Sequence, residues 1–210
     1  MSKNNLPNWK KYSTGLKNGK NAKDFGFKCK DGDFSRVNAR YRLAKSFQAV
    51  MAETYTQSTL NGYSALMKAM LTYSAFESYV NAVYGEKKPF DYKMALQILN
   101  QKDLSEIGDR ILILDKNRKF YAFLIEHSSS TIKQELKNFY DGNDHNSVYL
   151  LASIRHIFAH GSLTPNVKGI KPKKVVSICT LLSDFFLKEI GNHFATLIEV
   201  GVKKGSCFAN

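Results

Sequence analysis

Two long stretches of the chain repeat their apolar residues every three or four positions, and little except a helix accommodates that spacing. Between about residues 58 and 84, Leu66, Met70, Tyr73, Phe76, Val80 and Val83 form one stripe. From Pro172 onward a second stripe carries Val175, Ile178, Leu181, Leu182, Phe185, Phe186, Ile190, Phe194 and Leu197. Side chains at these intervals share one face of a 3.6-residue helix, whereas a half-buried strand alternates with period two. Ile111–Leu114 has the composition of a short strand but no partner strand is evident, so the expected class is all-α.

The intervening segments read as shorter helices. Asp33 or Ser35 is placed to cap a helix running to about Tyr55, with Val37, Tyr41, Ala44, Phe47, Val50 and Met51 along one side. Ser58 or Thr59 is expected to start the first long helix. Asp91 caps a short helix through Leu99, and Asp103 starts another through Leu114. Runs at about 116–126 and 130–140 follow, then the Asp141-Gly142-Asn143-Asp144 turn, a helix over about 145–160, and the Thr164-Pro165-Asn166 connection. Pro172 suits the first turn of the last helix, where its missing N–H costs nothing. Domain organisation is expected to be a basic, partly ordered leader over 1–32 and one helical domain over 33–210.

The chain holds 31 Lys plus Arg against 18 Asp plus Glu, a net charge of +13, which favours a polyanionic partner and nucleic acid first among them. Much of the excess sits in the leader. There Lys10 and Lys11 could follow a phosphate backbone while Trp9 and Tyr12 stack on bases; the competing reading is a solvated basic tail. Cys29, Cys179 and Cys207 are odd in number and lack metal-ligand spacing, which suggests a reducing compartment. No opening segment resembles a signal peptide, and no apolar run approaches the roughly 20 residues that span a bilayer, so a cytoplasmic protein without membrane association is expected.

The chemistry-bearing stretch is Arg155-His156-Ile157-Phe158-Ala159-His160-Gly161, at the end of an apolar helix that stops at the glycine. Val148, Leu151, Ala152, Arg155 and Ala159 share a helix face, which predicts that Arg155 points inward. A buried guanidinium, which keeps its proton, would require an anion. His160 is five residues on, roughly 140° around a helix that turns about 100° per residue, so Arg155 and His160 diverge unless the helix ends or a second copy supplies a partner. His156 and His160, four apart, could also ligate a metal from one face. Ile157 stands where a zinc-protease helix needs glutamate, and no third ligand is placed by sequence among Asp144, His145 and His193. No metal or other cofactor is expected. Phosphate loop, dinucleotide fingerprint and nucleophile elbow are all missing from the sequence.

An arginine followed by a polar residue, a short apolar run and a histidine resembles the signature of HEPN domains, in which four to six residues separate the arginine from the histidine. The resemblance is specific over 145–163, plausible for 59–84 and 172–200, and silent elsewhere. It implies an antiparallel helical bundle, here with additional helices, and metal-independent RNA cleavage. Arg155 would clamp the phosphate, His160 would exchange a proton and His156 would orient the phosphate or a catalytic group. Glu77, on the helix beside the motif helix, is the candidate partner of Arg155; its alternative is a solvent-facing carboxylate. The resemblance further implies a homodimer with a composite site, and a toxin–antitoxin or antiviral defence setting with an antitoxin protein as a possible partner. The alternative is a catalytically silent HEPN-like module that binds RNA or nucleotides or serves in protein assembly.

Overall fold

A computed structural model of the chain describes residues 4–86, 89–141, 147–167 and 169–206. Every regular element among them is helical: α1 (Trp9–Lys17), a 3-10 turn (Ala22–Phe25), α2 (Asp31–Ser46), α3 (Gln57–Tyr84), α4 (Tyr92–Leu96), α5 (Gln101–Leu114), α6 (Lys119–His127), α7 (Ser130–Tyr140), α8 (Ser147–Ala159) and α9 (Pro172–Ser206). No helix among the described residues is long and apolar enough to cross a membrane. Ile111–Leu114 completes α5 rather than forming a strand.

Several helix boundaries follow from capping. Asp91 accepts the Met94 N–H at 3.1 Å as expected. Asn100, rather than Asp103, caps α5 by accepting from the N–H groups of Lys102 and Asp103. Pro172 takes the first position of α9. The expected helix to Tyr55 instead stops at Ser46, and Met51, expected on its buried side, is 91 % exposed. The expected start of the motif helix near His145 lies outside the described residues.

The chain divides into two compact units, with α3 and α9 each contributing to both: the first unit draws on the chain through Ser46, Ser74–Leu99 and the chain from Phe186; the second on Phe47–Tyr73 and Asn100–Phe185. The leader is folded into the first unit. Tyr12 lies among Phe25, Phe34 and Phe194, with ring centroids 5.2, 5.3 and 5.9 Å away. Phe27 and Phe34 approach to 4.2 Å. Leu6 donates its N–H to the buried Asn38 Oδ1 at 3.0 Å, fixing the segment before α1. Asn21 and Asp24 close a reciprocal cap on the 3-10 turn. Aromatic residues spaced among lysines thus supply the core of this unit while the lysines remain outside.

In the second unit α6, α7 and α8 pack on one another and α5 packs on α8. Tyr121 of α6 stacks on Phe139 of α7 at 4.7 Å. Asp115, fully buried after α5, accepts the N–H groups of Phe120 and Tyr121 at 3.0 Å each and pairs with Lys174 at 3.0 Å. One carboxylate therefore caps α6 and fastens the first turn of α9. Burying that charge is tolerable because three donors satisfy it.

Candidate functional site

Helix α8 is buried on every side from Ser147 to Ile154. Its final turn emerges from that packing: Ile157 remains buried, His156 and Phe158 are half-buried, and Arg155, Ala159 and His160 are exposed. This corrects the inward orientation expected for Arg155. The helix has no single apolar stripe from which to read a direction, and an exposed guanidinium avoids desolvation altogether. Its carbon Cζ lies 5.7 Å from the Tyr73 ring centroid, a cation–π arrangement that holds the side chain at the surface. Tyr73 was legible in the sequence only as a core residue of α3.

The end of α8 is sharply defined. The Gly161 N–H donates to the Phe158 carbonyl at 3.0 Å and the Ser162 N–H to the Ile157 carbonyl at 3.1 Å. Gly161 has φ +77°, so the helix closes in a Schellman motif with glycine in the left-handed position and His160 as the last half-helical residue. Leu163, Pro165 and Val167 then bury in the second unit. Pro165 lies so close to Gly62 of α3 that a Cβ there would sit 2.4 Å from the proline Cβ. Asn166 also donates to Thr59 Oγ1 at 3.4 Å. The N-terminal half of α3 thus supports both Arg155 and the segment following His160.

The two motif histidines come together: their ring centroids are 4.4 Å apart, edge to face. Partial burial, then the charges of His160 and Arg155, hold the His156 pKa below its ordinary 6.5, which favours its neutral form. Rings in direct contact leave no room for a phosphate between them. A substrate would meet both along one shared edge, beside Arg155. Among the described residues no group of three or more His, Cys, Asp or Glu side chains is arranged to hold a metal ion. Asp144 and His145, weighed as third ligands, lie outside the described residues. His193, also weighed there, accepts or donates a 2.8 Å hydrogen bond with the buried Tyr79 hydroxyl in the first unit.

Glu77 belongs to the first unit and Arg155 to the second. Glu77 is half-buried in the wall of a cleft of about 590 Å³, lined also by Lys28, Lys30, Arg36, Arg40 and Glu86. Of the leader residues expected to contact RNA, Lys10 and Lys11 are exposed on α1 and border a smaller apolar-floored depression. Trp9 is half-buried against Tyr12. Tyr12 itself is 1 % exposed, so its expected role as a stacking platform is withdrawn: the ring is consumed by the aromatic core. No family model, curated protein or solved structure matches this chain.

Proposed function

We propose that the protein is a metal-independent endoribonuclease of HEPN type, with Arg155, His156 and His160 as its catalytic residues. The observation that carries the reading is the exposed end of α8, where a guanidinium and two contacting imidazoles, one of them biased toward the neutral form, share a surface. In this reading Arg155 neutralises the scissile phosphate as it gathers charge. One imidazole takes the ribose 2′-hydroxyl proton as the 2′-oxygen bonds to phosphorus. Another, protonated, gives its proton to the departing 5′-oxygen as the P–O5′ bond breaks. His156 is suited to the first role, which leaves the second to His160. Products are a 2′,3′-cyclic phosphate and a 5′-hydroxyl.

In-line displacement puts the attacking and leaving oxygens on opposite sides of phosphorus. Two rings in contact in one chain reach only one side. A homodimer, presenting the motif of each subunit to one groove, supplies an acid opposite the base, which is the argument for a composite site. The biological setting in this reading is a defence or toxin role restrained by an antitoxin protein.

The test is incubation of purified protein with total RNA in chelator, followed by mapping of new ends. Cyclic phosphate and 5′-hydroxyl ends are expected, with Arg155→Ala and His160→Ala abolishing them while leaving the thermal transition unchanged. Cleavage that the two variants retain, or no cleavage by the native chain, overturns the proposal. RNA binding without cleavage would leave the silent binding module.

A further inference from the structure

Outside the α8 site, a concentration of positive charge surrounds Asp115. Lys116, Arg118 and Lys119 lead into α6, and Lys171, Lys173 and Lys174 lead into α9. Printed on the fold, these two short basic runs are one surface. Lys174 pairs with Asp115, whose carboxylate also caps α6, and Lys119 lies against Gly169 of the chain entering α9. The buried Asp115 carboxylate neutralises Lys174 alone of this cluster, its other two donors being backbone N–H groups of α6. Two helix N-termini add their own partial positive charge. Lys116, Lys119, Lys171 and Lys173 are exposed.

Arg118 is held in a way that a solvated surface arginine is not. Its backbone sits at φ 55°, and its guanidinium stacks 5.8 Å from the Tyr140 ring. Its Nη1 is buried with no hydrogen-bond partner among the described residues. The Tyr140 ring therefore holds the guanidinium in place, with Nη1 turned away from solvent. Beside it Tyr140 is 40 % exposed and offers ring surface to an unpaired base.

We infer that this surface anchors the phosphate backbone of single-stranded RNA, with Tyr140 as a stacking platform, separately from the α8 residues. The inference deepens the ribonuclease reading by assigning the substrate a second contact, made by the cations clustered around Asp115 rather than by the leader lysines. A cluster of exposed cations suits a polymer of repeated charge, and the aromatic ring beside them favours exposed bases over a duplex or a lipid headgroup.

The experiment measures binding of a fluorescent 12-nucleotide oligouridylate across a salt series, in a His160→Ala background so that turnover does not intrude. Each lysine–phosphate contact to a single strand contributes a slope of about −0.7 in log K against log salt, so Lys171→Gln/Lys173→Gln should flatten the slope by about 1.4 and weaken binding about 25-fold at 0.1 M salt. Lys10→Gln/Lys11→Gln on α1 should change affinity by no more than about 3-fold, far below one lysine–phosphate contact in each of two positions. An unchanged slope in the first pair, an equal loss in the second, or tighter binding to anionic lipid vesicles than to the oligonucleotide would overturn the inference. Because cleavage is not read, a native protein that fails to cut RNA would refute the nuclease proposal and leave this result standing.

Discussion

Replacing Gly62 by alanine probes how the segment after His160 is held. The new Cβ would lie 2.4 Å from Pro165 Cβ and 2.9 Å from its Cγ, with the proline Cα at 3.3 Å. A proline ring buried in its own loop has no rotamer through which to escape, so the clash falls in the overpacking range of about 1–3 kcal/mol. Alanine in a helix interior gains about 1 kcal/mol over glycine. The net cost of Gly62→Ala is then about 0–2 kcal/mol, which alone decides little. Pro165→Gly removes the two closest atoms, and in that background Gly62→Ala should become stabilising by about 1 kcal/mol. The coupling between the two positions should therefore be about 1–3 kcal/mol, read from urea denaturation of the four proteins by far-ultraviolet circular dichroism. Equal effects of Gly62→Ala with and without Pro165 would refute the claim that this contact positions the end of the motif helix.

Gly161→Ala should cost about 1–2 kcal/mol for purely conformational reasons, since φ is +77° and nothing lies within 4 Å of the added methyl; a thermal transition unchanged from the native protein would contradict the Schellman closure. In an NMR titration His156 should deprotonate below 6.5, and Arg155→Gln or His160→Asn should raise its pKa only part of the way back, because desolvation is the largest cause. As pH falls through 6.5 the unfolded chain takes up the His156 proton before the folded one, so stability should decline until the lower folded pKa is passed; His156→Asn should lessen that decline, and the desolvated His193 contributes with the same sign. Asp115→Ala should cost about 3–5 kcal/mol by stranding two N–H groups and Lys174, and adding Lys174→Met should recover part of it in chemical denaturation. No recovery would mean that Lys174 is not an essential part of the clamp.

Local chemistry was enough to read much of this fold from the chain itself. The α3 and α9 stripes, the Asp91 cap, Pro172 at the head of α9 and Gly161 at the close of α8 each depend on neighbours within one or two turns, and each stands where periodicity and capping put it. The composition of the motif and its position at a helix end were legible for the same reason. What the packing alone decided involves partners distant in sequence. Tyr12 reads equally well as a stacking platform or a core ring, and only Phe25, Phe34 and Phe194 around it settle that it is core. Arg155 shares a helix face with apolar residues, yet α8 is enclosed all round to Ile154 and then emerges, so the face carries no direction at the last turn; Tyr73, 82 positions earlier, takes the guanidinium. The two basic runs flanking α6 and α9 become one surface solely because Asp115 satisfies donors from both. Periodicity records which side of a helix avoids water, whereas the place where water is excluded is fixed by whatever else packs there.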